Sequence, residues 1–248
     1  SNYFSDIKYG TAAYAYTFNN RGNTLHFGLS YIDYGEFSGY DNQGNPTNDF
    51  TGKESAFSIG YSSKINYLPI YVGLNLRLIT SSLEQYNSIG ISTDIGVLYI
   101  NSEMNLNIAM VIRNFGTQIK AYNDIYESLP FEIDIGVSQL LENAPVRWYL
   151  TFENVQKWNI ALSNPSRLTT DLDGNITEEK ITFFNNIFRH LLIGAELFPE
   201  SIFNIRLGYN FKRGEELKII DQSNFSGLSF GFGMKFNKLR INYTHAKF

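Results

Sequence analysis

Three histidines, His26, His190 and His245, supply the only imidazole side chains in this 248-residue chain. His190 could activate Ser163, or be oriented by Asp171, in the arrangement that nucleophilic hydrolases use. Nothing in the spacing of these residues brings them together, and a lone histidine is more often structural. We therefore expect no catalytic residue and no enzyme activity.

A second candidate is residues 171–175, Asp-Leu-Asp-Gly-Asn, whose alternating oxygen ligands resemble half of a calcium loop. The bidentate glutamate of such a loop is missing, because the twelfth position is Thr182. The chain has no cysteine, which excludes thiolate metal sites. A net charge of -4 gives no basic surface for nucleic acid. We expect no metal, no cofactor and no nucleic-acid partner.

The elements that would position these residues alternate with a period of two. In residues 129–158, Phe131, Ile133, Ile135 and Val137 fall on one face, and Glu132, Asp134, Gly136 and Ser138 fall on the other. This period is that of a β-strand. The polar set is small or charged along the whole chain, and the apolar set is large. Such a pattern is typical of a membrane barrel with its apolar face toward lipid.

The pattern predicts about twelve strands. We place them at 7–18, 24–35, 53–66, 70–82, 89–100, 105–115, 131–141, 146–154, 187–198, 202–213, 225–237 and 239–248. Short connections alternate with longer segments at 36–52, 83–88, 116–130, 155–186 and 214–224, as periplasmic turns alternate with extracellular loops. No apolar run reaches the roughly 18 residues of a spanning helix. The sequence predicts an all-β, antiparallel, up-and-down transmembrane β-barrel in the outer membrane of a Gram-negative bacterium.

We expect residues 1–248 to form a single barrel domain that is incomplete at both ends. The first residues lack the basic and apolar regions of an export signal. The terminal Phe248 is out of phase with the apolar row of the last strand, whereas a closing aromatic should be in phase.

The predicted inner face is small and of mixed charge. Its glycines and serines are Gly60, Gly73, Gly90, Gly96, Gly136, Gly208, Gly231, Gly233, Ser58, Ser92, Ser138 and Ser229. Its charges are Arg77, Asp94, Arg113, Glu132, Asp134, Arg147, Glu153 and Arg206. Mixed signs in a confined space favour mutual pairing, and hence a filled interior.

Three segments depart from the simple pattern. In strand 187–198, Leu192 and Phe198 are in phase with His190 and Glu196, so this strand packs against something inside the barrel or its register differs. Residues 154–163 lose the period of two and predict a short amphipathic helix. Residues 168–180 contain Asp-Gly and predict a hairpin tip or a mobile loop.

Several stretches together resemble one family across nearly the whole chain. They are 31–37 (YIDYGEF), 86–99 (YNSIGISTDIGVLY), 113–124 (RNFGTQIKAYND) and 129–158. The chain is similar to the PorQ family of the type IX secretion system, which is related to PorV among FadL-like outer-membrane barrels of fourteen strands. The resemblance implies that about one strand is missing at each end and that the complete barrel has fourteen. It also implies a non-catalytic member of the cell-surface attachment complex, with PorU, PorV and a PorZ-like protein as partners and with lipopolysaccharide as the anchor of its cargo.

Two functions follow as alternatives. The first is a scaffold that anchors a surface partner through the extracellular loops. The second is a FadL-like transporter that passes small hydrophobic molecules, which a continuous apolar inner patch would favour. For the scaffold, exposed loop aromatics are the expected anchors, because such side chains often dominate binding energy. The candidate partner-binding residues are Phe37, Tyr40, Tyr122, Tyr126, Trp158, Phe183 and Phe184.

Overall fold

The computed structural model describes residues 2–3, 7–18, 22–123, 125–164, 169–170, 176–177, 180–217, 225–237 and 239–246. Strands account for 65% of the structure and helices for 6%, so the fold is all-β. Among the described residues, neither helix has the length and apolar character needed to cross a membrane.

The elements follow one another along the chain with few long connections. The strands are β1 (Asn2–Tyr3), β2 (Ile7–Phe18), β3 (Asn23–Phe37), β4 (Phe50–Lys64), β5 (Ile70–Leu83), β6 (Tyr86–Asn101), β7 (Leu106–Lys120), β8 (Glu132–Leu140), β9 (Val146–Phe152), β10 (Thr169–Thr170), β11 (Ile176–Thr177), β12 (Leu191–Leu197), β13 (Phe203–Asn210), β14 (Leu228–Phe236) and β15 (Leu239–Ala246). The helices are α1 (Phe183–Arg189) and α2 (Phe211–Glu216).

The strands form an antiparallel up-and-down sheet in chain order. All strands except β10 and β11 belong to it, and each is a neighbour of the next. The twelve predicted strands are therefore confirmed, with the two-residue β1 in addition. The sheet begins at β1 and ends at β15 and is not closed, so the architecture is consistent with a barrel while closure stays a prediction. The short strands β10 and β11 pair with each other inside the predicted hairpin 168–180. The tip of that hairpin, 171–175, lies outside the described residues.

Two compact units divide the chain, residues 1–98 with 111–132 and residues 99–110 with 133–248. In the first unit, β2 to β5 pair in continuous registers, for example Ala13 opposite Gly28 and Phe57 opposite Leu78. A register shift in β3 between Asp33 and Glu36 marks a β-bulge. Gly35 lies within it with a φ of 81° and donates its N–H to the Asp33 carboxylate at 3.0 Å. Glycine adopts this left-handed conformation without steric cost.

In the second unit, β9 pairs with β12 across the longest connection of the chain. Glu196 of β12 lies opposite Arg147 of β9 on one side and Arg206 of β13 on the other. The sheet continues from β13 to β14 and β15. The connection between β9 and β12 is long, but the two strands are neighbours in the sheet, so the meander order is unchanged. Residues 153–190 are thus an insertion into a hairpin.

The prediction of a long segment at 83–88 is wrong. Strand β5 ends at Leu83 and β6 begins at Tyr86, so only residues 84 and 85 connect them. Glu84 has a φ of 54°, which permits a tight reversal, and its N–H donates to the carbonyl of Thr51 at 3.1 Å. The alternation of short and long connections therefore fails at this hairpin.

The prediction of a helix at 154–163 is also wrong, because these residues form neither helix nor strand. The two helices lie at 183–189 and 211–216. Each begins at a polar N-cap: Thr182 accepts a hydrogen bond from the Asn185 N–H, and Asn210 accepts one from the Arg213 N–H. Strand 187–198 consequently starts only at Leu191, and strand 202–213 ends at Asn210. Residues 187–189 and 211–213, which the alternation assigned to strands, are therefore helical.

Strand β7 is longer than predicted because its phase changes inside it. Ile108 and Met110 are exposed in its first half, and Phe115 and Ile119 in its second half, so the exposed positions change from even to odd. Asn114 lies between them with a φ of 55°. A left-handed residue within a strand inserts one position and reverses the faces that follow. A prediction based on a strict period of two therefore placed the end of this strand too early, at residue 115, whereas β7 continues to Lys120.

Candidate functional site

The first feature of functional interest is an inverted distribution of polarity. On β4, Phe57, Ile59 and Tyr61 are exposed, while Ser58 and Gly60 between them face the other side of the sheet. The same alternation places large apolar rows on the exposed face of β3 and β5 and in the strands from β8 onward. The exposed set includes Phe27, Leu29, Tyr31, Val72, Leu74, Leu76, Leu78, Ile135, Leu150, Ile193, Leu207, Phe230 and Ile241.

The buried residues, by contrast, are mostly polar. In the described part of the chain the buried hydrophobic residues are Ala121 and Ile160 alone. The buried polar or charged set is Ser88, Ser92, Asp134, Asn164, Asn186, Arg189, His190, Glu196 and Ser226. A water-soluble sheet buries its apolar face. This sheet exposes that face and covers its polar one.

A hydrogen-bonded network lies on the inner face of the first unit. Arg77 Nη2 lies 2.6 Å from Asp94 Oδ2, and the same carboxylate oxygen accepts from the side chain of Asn75 at 2.9 Å. Arg77 Nη1 donates to the Asn114 side chain at 3.0 Å, and His26 contacts Asn75 at 3.1 Å. The predicted mutual pairing of inner charges is found here. The hydrogen-bonding groups of these side chains are thus used within the network and are not left for a solute.

A repeated pair of residues supports both units. The N–H of Asn114 donates to Asp94 at 3.0 Å, and the N–H of Asn154 donates to Asp134 at 3.2 Å. Both asparagines have a φ of 55°. In each case the asparagine follows the aspartate by twenty residues, and Asp-Ile-Gly-Val occurs at both 94–97 and 134–137. Asp94 fixes a left-handed residue within β7, and Asp134 fixes one just after the end of β9.

In the second unit, α1 and α2 hold loop 154–164 through polar side chains. The Asn186 amide donates to the carbonyl of Trp158 and accepts from the N–H of Ala161 at 3.3 Å. The carboxylate of Glu216 accepts from the N–H of Leu162 at 3.3 Å and lies 3.4 Å from the guanidinium of Arg189. We refer to Asn186, Arg189, His190 and Glu216 as the loop latch. It fixes the backbone of a segment that has no helix or strand of its own.

His190 belongs to this latch and is fully buried. Its Nδ1 lies 2.6 Å from the carbonyl oxygen of Glu153, and its Nε2 lies 2.9 Å from that of Trp158. Both ring nitrogens are thus engaged with backbone carbonyl oxygens. The geometry supports a structural role, and Asp171 lies outside the described residues.

A cluster of exposed aromatic rings lies next to the loop latch, which it contacts through Trp158 and His190. Trp158 and Phe183 have ring centroids 5.2 Å apart, and Phe183 packs edge-on against Phe184 at 5.7 Å. Their exposed fractions are 44%, 62% and 70% respectively. The rings of Phe152, His190 and Trp158 stack in turn and connect this group to β9. Trp158, Phe183 and Phe184 are called the aromatic cluster below.

The other predicted partner-binding residues lie in the first unit. Tyr40 is 65% exposed and Tyr126 is 63% exposed. Phe37 stacks on Phe50 at 5.3 Å. Tyr122 is half-buried, and its hydroxyl donates a hydrogen bond to Ser81. It also lines a cavity of about 270 Å³ together with Phe37. Three of the seven candidates thus form one cluster, and Tyr122 is the least available for a partner.

Loop 38–49, which carries Tyr40, has its own polar support. The Asp41 carboxylate accepts from the side chain and the N–H of Asn45 at 2.9 and 2.8 Å and from the N–H of Gln43 at 2.9 Å. These hydrogen bonds hold the pKa of Asp41 below its ordinary value of 3.8. The turn is therefore fully supported at neutral pH and loses this support as the pH falls through the lowered pKa.

No set of three histidine or carboxylate side chains close enough to hold a metal ion occurs in the part of the chain that the structure describes. The Asp171–Asn175 half-loop lies outside that part. The sequence reasoning missed Asn186, Arg189 and Glu216 entirely. A repeated Asp-Ile-Gly-Val, by contrast, was visible in the sequence and marks the two aspartates that fix Asn114 and Asn154.

Comparison with known proteins adds no family assignment, because neither the scan against protein-family models nor the search of curated proteins gives a match.

Proposed function

We propose that this chain is an outer-membrane β-barrel protein whose exposed apolar wall faces lipid. The inverted burial carries this proposal. Contiguous exposed apolar surface beyond a few hundred Å² is rare on soluble proteins. Each fully exposed large aliphatic or aromatic side chain forgoes about 1.5–3 kcal/mol of burial in water. Hydrocarbon removes that penalty, and closure of the sheet would satisfy the backbone groups at its two ends.

Within this class the inner face favours a scaffold over a transporter. Arg77, Asp94 and Asn114 are bonded to one another, and Arg206 pairs with Glu196 at 3.1 Å. A cavity of about 460 Å³ in the second unit includes Leu192 and Leu228 in its lining, but also Lys212, Arg213 and Glu216. A fatty acid needs a continuous apolar path. The inner surface is therefore better suited to rigidity than to the FadL-like alternative, and the role that we propose is a non-catalytic one.

The particular role that we propose is a component of the type IX secretion and cell-surface attachment complex. The resemblance of four stretches to the PorQ family supports this role. Its partners would be a PorZ-like protein and the PorU and PorV proteins, in a membrane that contains lipopolysaccharide. The aromatic cluster is the proposed anchor for the surface partner. Large exposed rings held on a fixed backbone lose little entropy when they bind.

The proposal is tested by replacing the anchor while keeping the side chains that hydrogen-bond the loop. The triple variant Trp158→Ala, Phe183→Ala and Phe184→Ala loses the stacking of Trp158 on His190 but retains all four side chains of the loop latch, so the barrel should still fold. We expect at least a tenfold loss of the partner that co-purifies in mild detergent, and accumulation of cargo that is not anchored. Tyr67→Ala is the matched control, because Tyr67 is a fully exposed aromatic in the short connection 65–69.

The outcomes separate the levels of the proposal. If the triple variant retains both the partner and cargo anchoring, the aromatic cluster is not the docking site. If the wild-type protein captures no secretion component at all, the type IX role is wrong while the barrel class still stands. Uptake of a labelled fatty acid by cells that express the protein, and not by cells that lack it, would favour the transporter.

A further inference from the structure

Besides the cavity of about 460 Å³, the second unit contains a cavity of about 370 Å³ whose lining carries an excess of positive charge. It lies beside the short connection 198–202 and the ends of β13, β14 and β15. Its lining includes four cations and two carboxylates, namely Arg147, Arg206, Lys235, Arg240, Glu196 and Glu200. The cationic side chains exceed the anionic ones by two. In a confined space such an excess attracts an anion.

One of the carboxylates is already used within the protein. Glu196 accepts from Arg206 Nε at 3.1 Å and from the hydroxyl of Tyr149 at 2.7 Å. It also lies opposite Arg147 in the register of β9 and β12. The Nε of Arg147 is buried and has no hydrogen-bond partner. A guanidinium N–H that is removed from water without an acceptor costs free energy.

The two other cations oppose each other directly. Lys235 of β14 and Arg240 of β15 are cross-strand partners. Such partners have Cβ atoms about 4.5–5.5 Å apart, and like charges in this position are destabilising. Among the described residues, neither side chain forms an ion pair. The remaining carboxylate, Glu200, is exposed in the short connection and belongs to no ion pair of the described residues.

Glycine lets two side-chain amides lie close together beside this cavity. A Cβ at position 233 would lie 2.7 Å from Asn204 Oδ1 and 2.9 Å from Asn242 Oδ1, so a larger residue would push these amides aside. Asn204 and Asn242 also line the cavity. Side-chain amides and guanidinium groups together supply several N–H donors around one space. This donor set matches the oxygen atoms of phosphate and carboxylate groups.

We propose that this cavity binds an oxyanion, a phosphate- or carboxylate-bearing group, between Arg147, Arg206, Lys235 and Arg240. The anion completes the hydrogen bonding of Arg147 and offsets the repulsion between Lys235 and Arg240. The site is separate from the aromatic cluster and does not depend on partner capture. We refer to it as the oxyanion pocket.

Calorimetric titration of the purified protein in mild detergent and low salt tests the proposal. The probes are inorganic pyrophosphate and citrate, which distinguish phosphate from carboxylate chemistry. We expect saturable binding of at least one probe by the wild type, and at least tenfold weaker binding by the double variant Lys235→Gln and Arg240→Gln. The control double variant, Lys53→Gln and Lys157→Gln, removes two exposed cations elsewhere and should bind as the wild type does.

Thermal unfolding provides a second readout that does not require the variant to bind. A ligand that binds the folded state raises its melting temperature, so the effective probe should stabilise the wild type. Without anion, the Lys235→Gln and Arg240→Gln variant should melt at a higher temperature than the wild type, because the like-charge pair is gone. If neither probe binds the wild type, or if both double variants bind equally well, the oxyanion pocket does not exist.

Discussion

At the scale of single residues, the most informative positions are polar groups placed where hydrophobic residues normally lie. His190 and Arg189 are among the most buried side chains that the structure describes. A buried polar group is costly unless it is hydrogen-bonded, so each contact of His190 with a backbone carbonyl has a large effect on loop 154–164. The imidazole also stacks between Phe152 and Trp158, with centroids 4.9 and 5.7 Å away.

Replacing His190 with phenylalanine should separate these two contributions. His190→Phe keeps a ring between Phe152 and Trp158 but leaves the carbonyls of Glu153 and Trp158 without their donor. Each unsatisfied buried group costs about 1–3 kcal/mol, so loop 154–164 should open more often. Hydrogen–deuterium exchange of residues 154–164 should become at least tenfold faster, while exchange in β4 stays unchanged.

The matched control for this substitution is His245→Phe, at an exposed position of β15. It should leave exchange in loop 154–164 as in the wild type. Equal protection in His190→Phe and the wild type would show that ring stacking alone holds the loop.

At the scale of elements, each strand presents two chemically distinct faces. On β9, Leu150 is exposed on the apolar face, whereas Tyr149 beside it turns its hydroxyl to Glu196. Position 151 shares the inner face and lies opposite Gly136. If the apolar face meets lipid, the same substitution should have opposite consequences at neighbouring positions.

A cation on the apolar face should therefore impair folding. Leu150→Arg should cost roughly 2–4 kcal/mol if the side chain lies near the bilayer midplane, and the penalty should fall toward the interfaces. Urea titration of the protein refolded into lipid vesicles measures this free energy. Thr151→Lys is the comparison, since a flexible cation on the inner face reaches water or a carboxylate. Equal stability of Leu150→Arg and the wild type in vesicles would mean that the faces are assigned the wrong way round.

At the scale of the whole molecule, polarity is inverted relative to a soluble protein. Its apolar side chains are largely exposed, and its buried side chains are largely polar. The pairing of Arg77 with Asp94 and of Arg206 with Glu196 places side chains of opposite charge across the inner faces of both units. Paired charges on an inner face hinder ion passage, unlike the charged rings of selective pores.

We accordingly expect little stable conductance from the purified protein in planar bilayers. Arg77→Ala with Asp94→Ala removes one inner ion pair and should increase the frequency of open events. Thr80→Ala, an exposed position on the same strand β5, is the control and should behave as the wild type. Large, uniform steps from the wild type, like those of porins, would contradict a filled interior and revive the transport alternative.

The sequence by itself determined the strands and their faces. A period of two is a local property of an extended chain, so residues 57–61 specify their own alternation without any distant partner. The meander order follows as well, because short connections force neighbouring antiparallel strands to pair. The same local reasoning failed at Asn114, where one left-handed residue, supported by Asp94 from the neighbouring strand, reverses the faces.

Only the tertiary structure decided what happens between β9 and β12. Residues 154–164 have no periodic signal of their own, and their backbone is satisfied by His190, Asn186 and Glu216 from distant parts of the chain. Whether residues 187–189 belong to a helix or to a strand likewise depends on that packing. The juxtaposition of Lys235 with Arg240 follows from strand register, but the cavity around them needs Arg147 and Arg206 from two further strands. Long-range hydrogen bonds and cavities arise from residues far apart in sequence, and for that reason no local pattern predicts them.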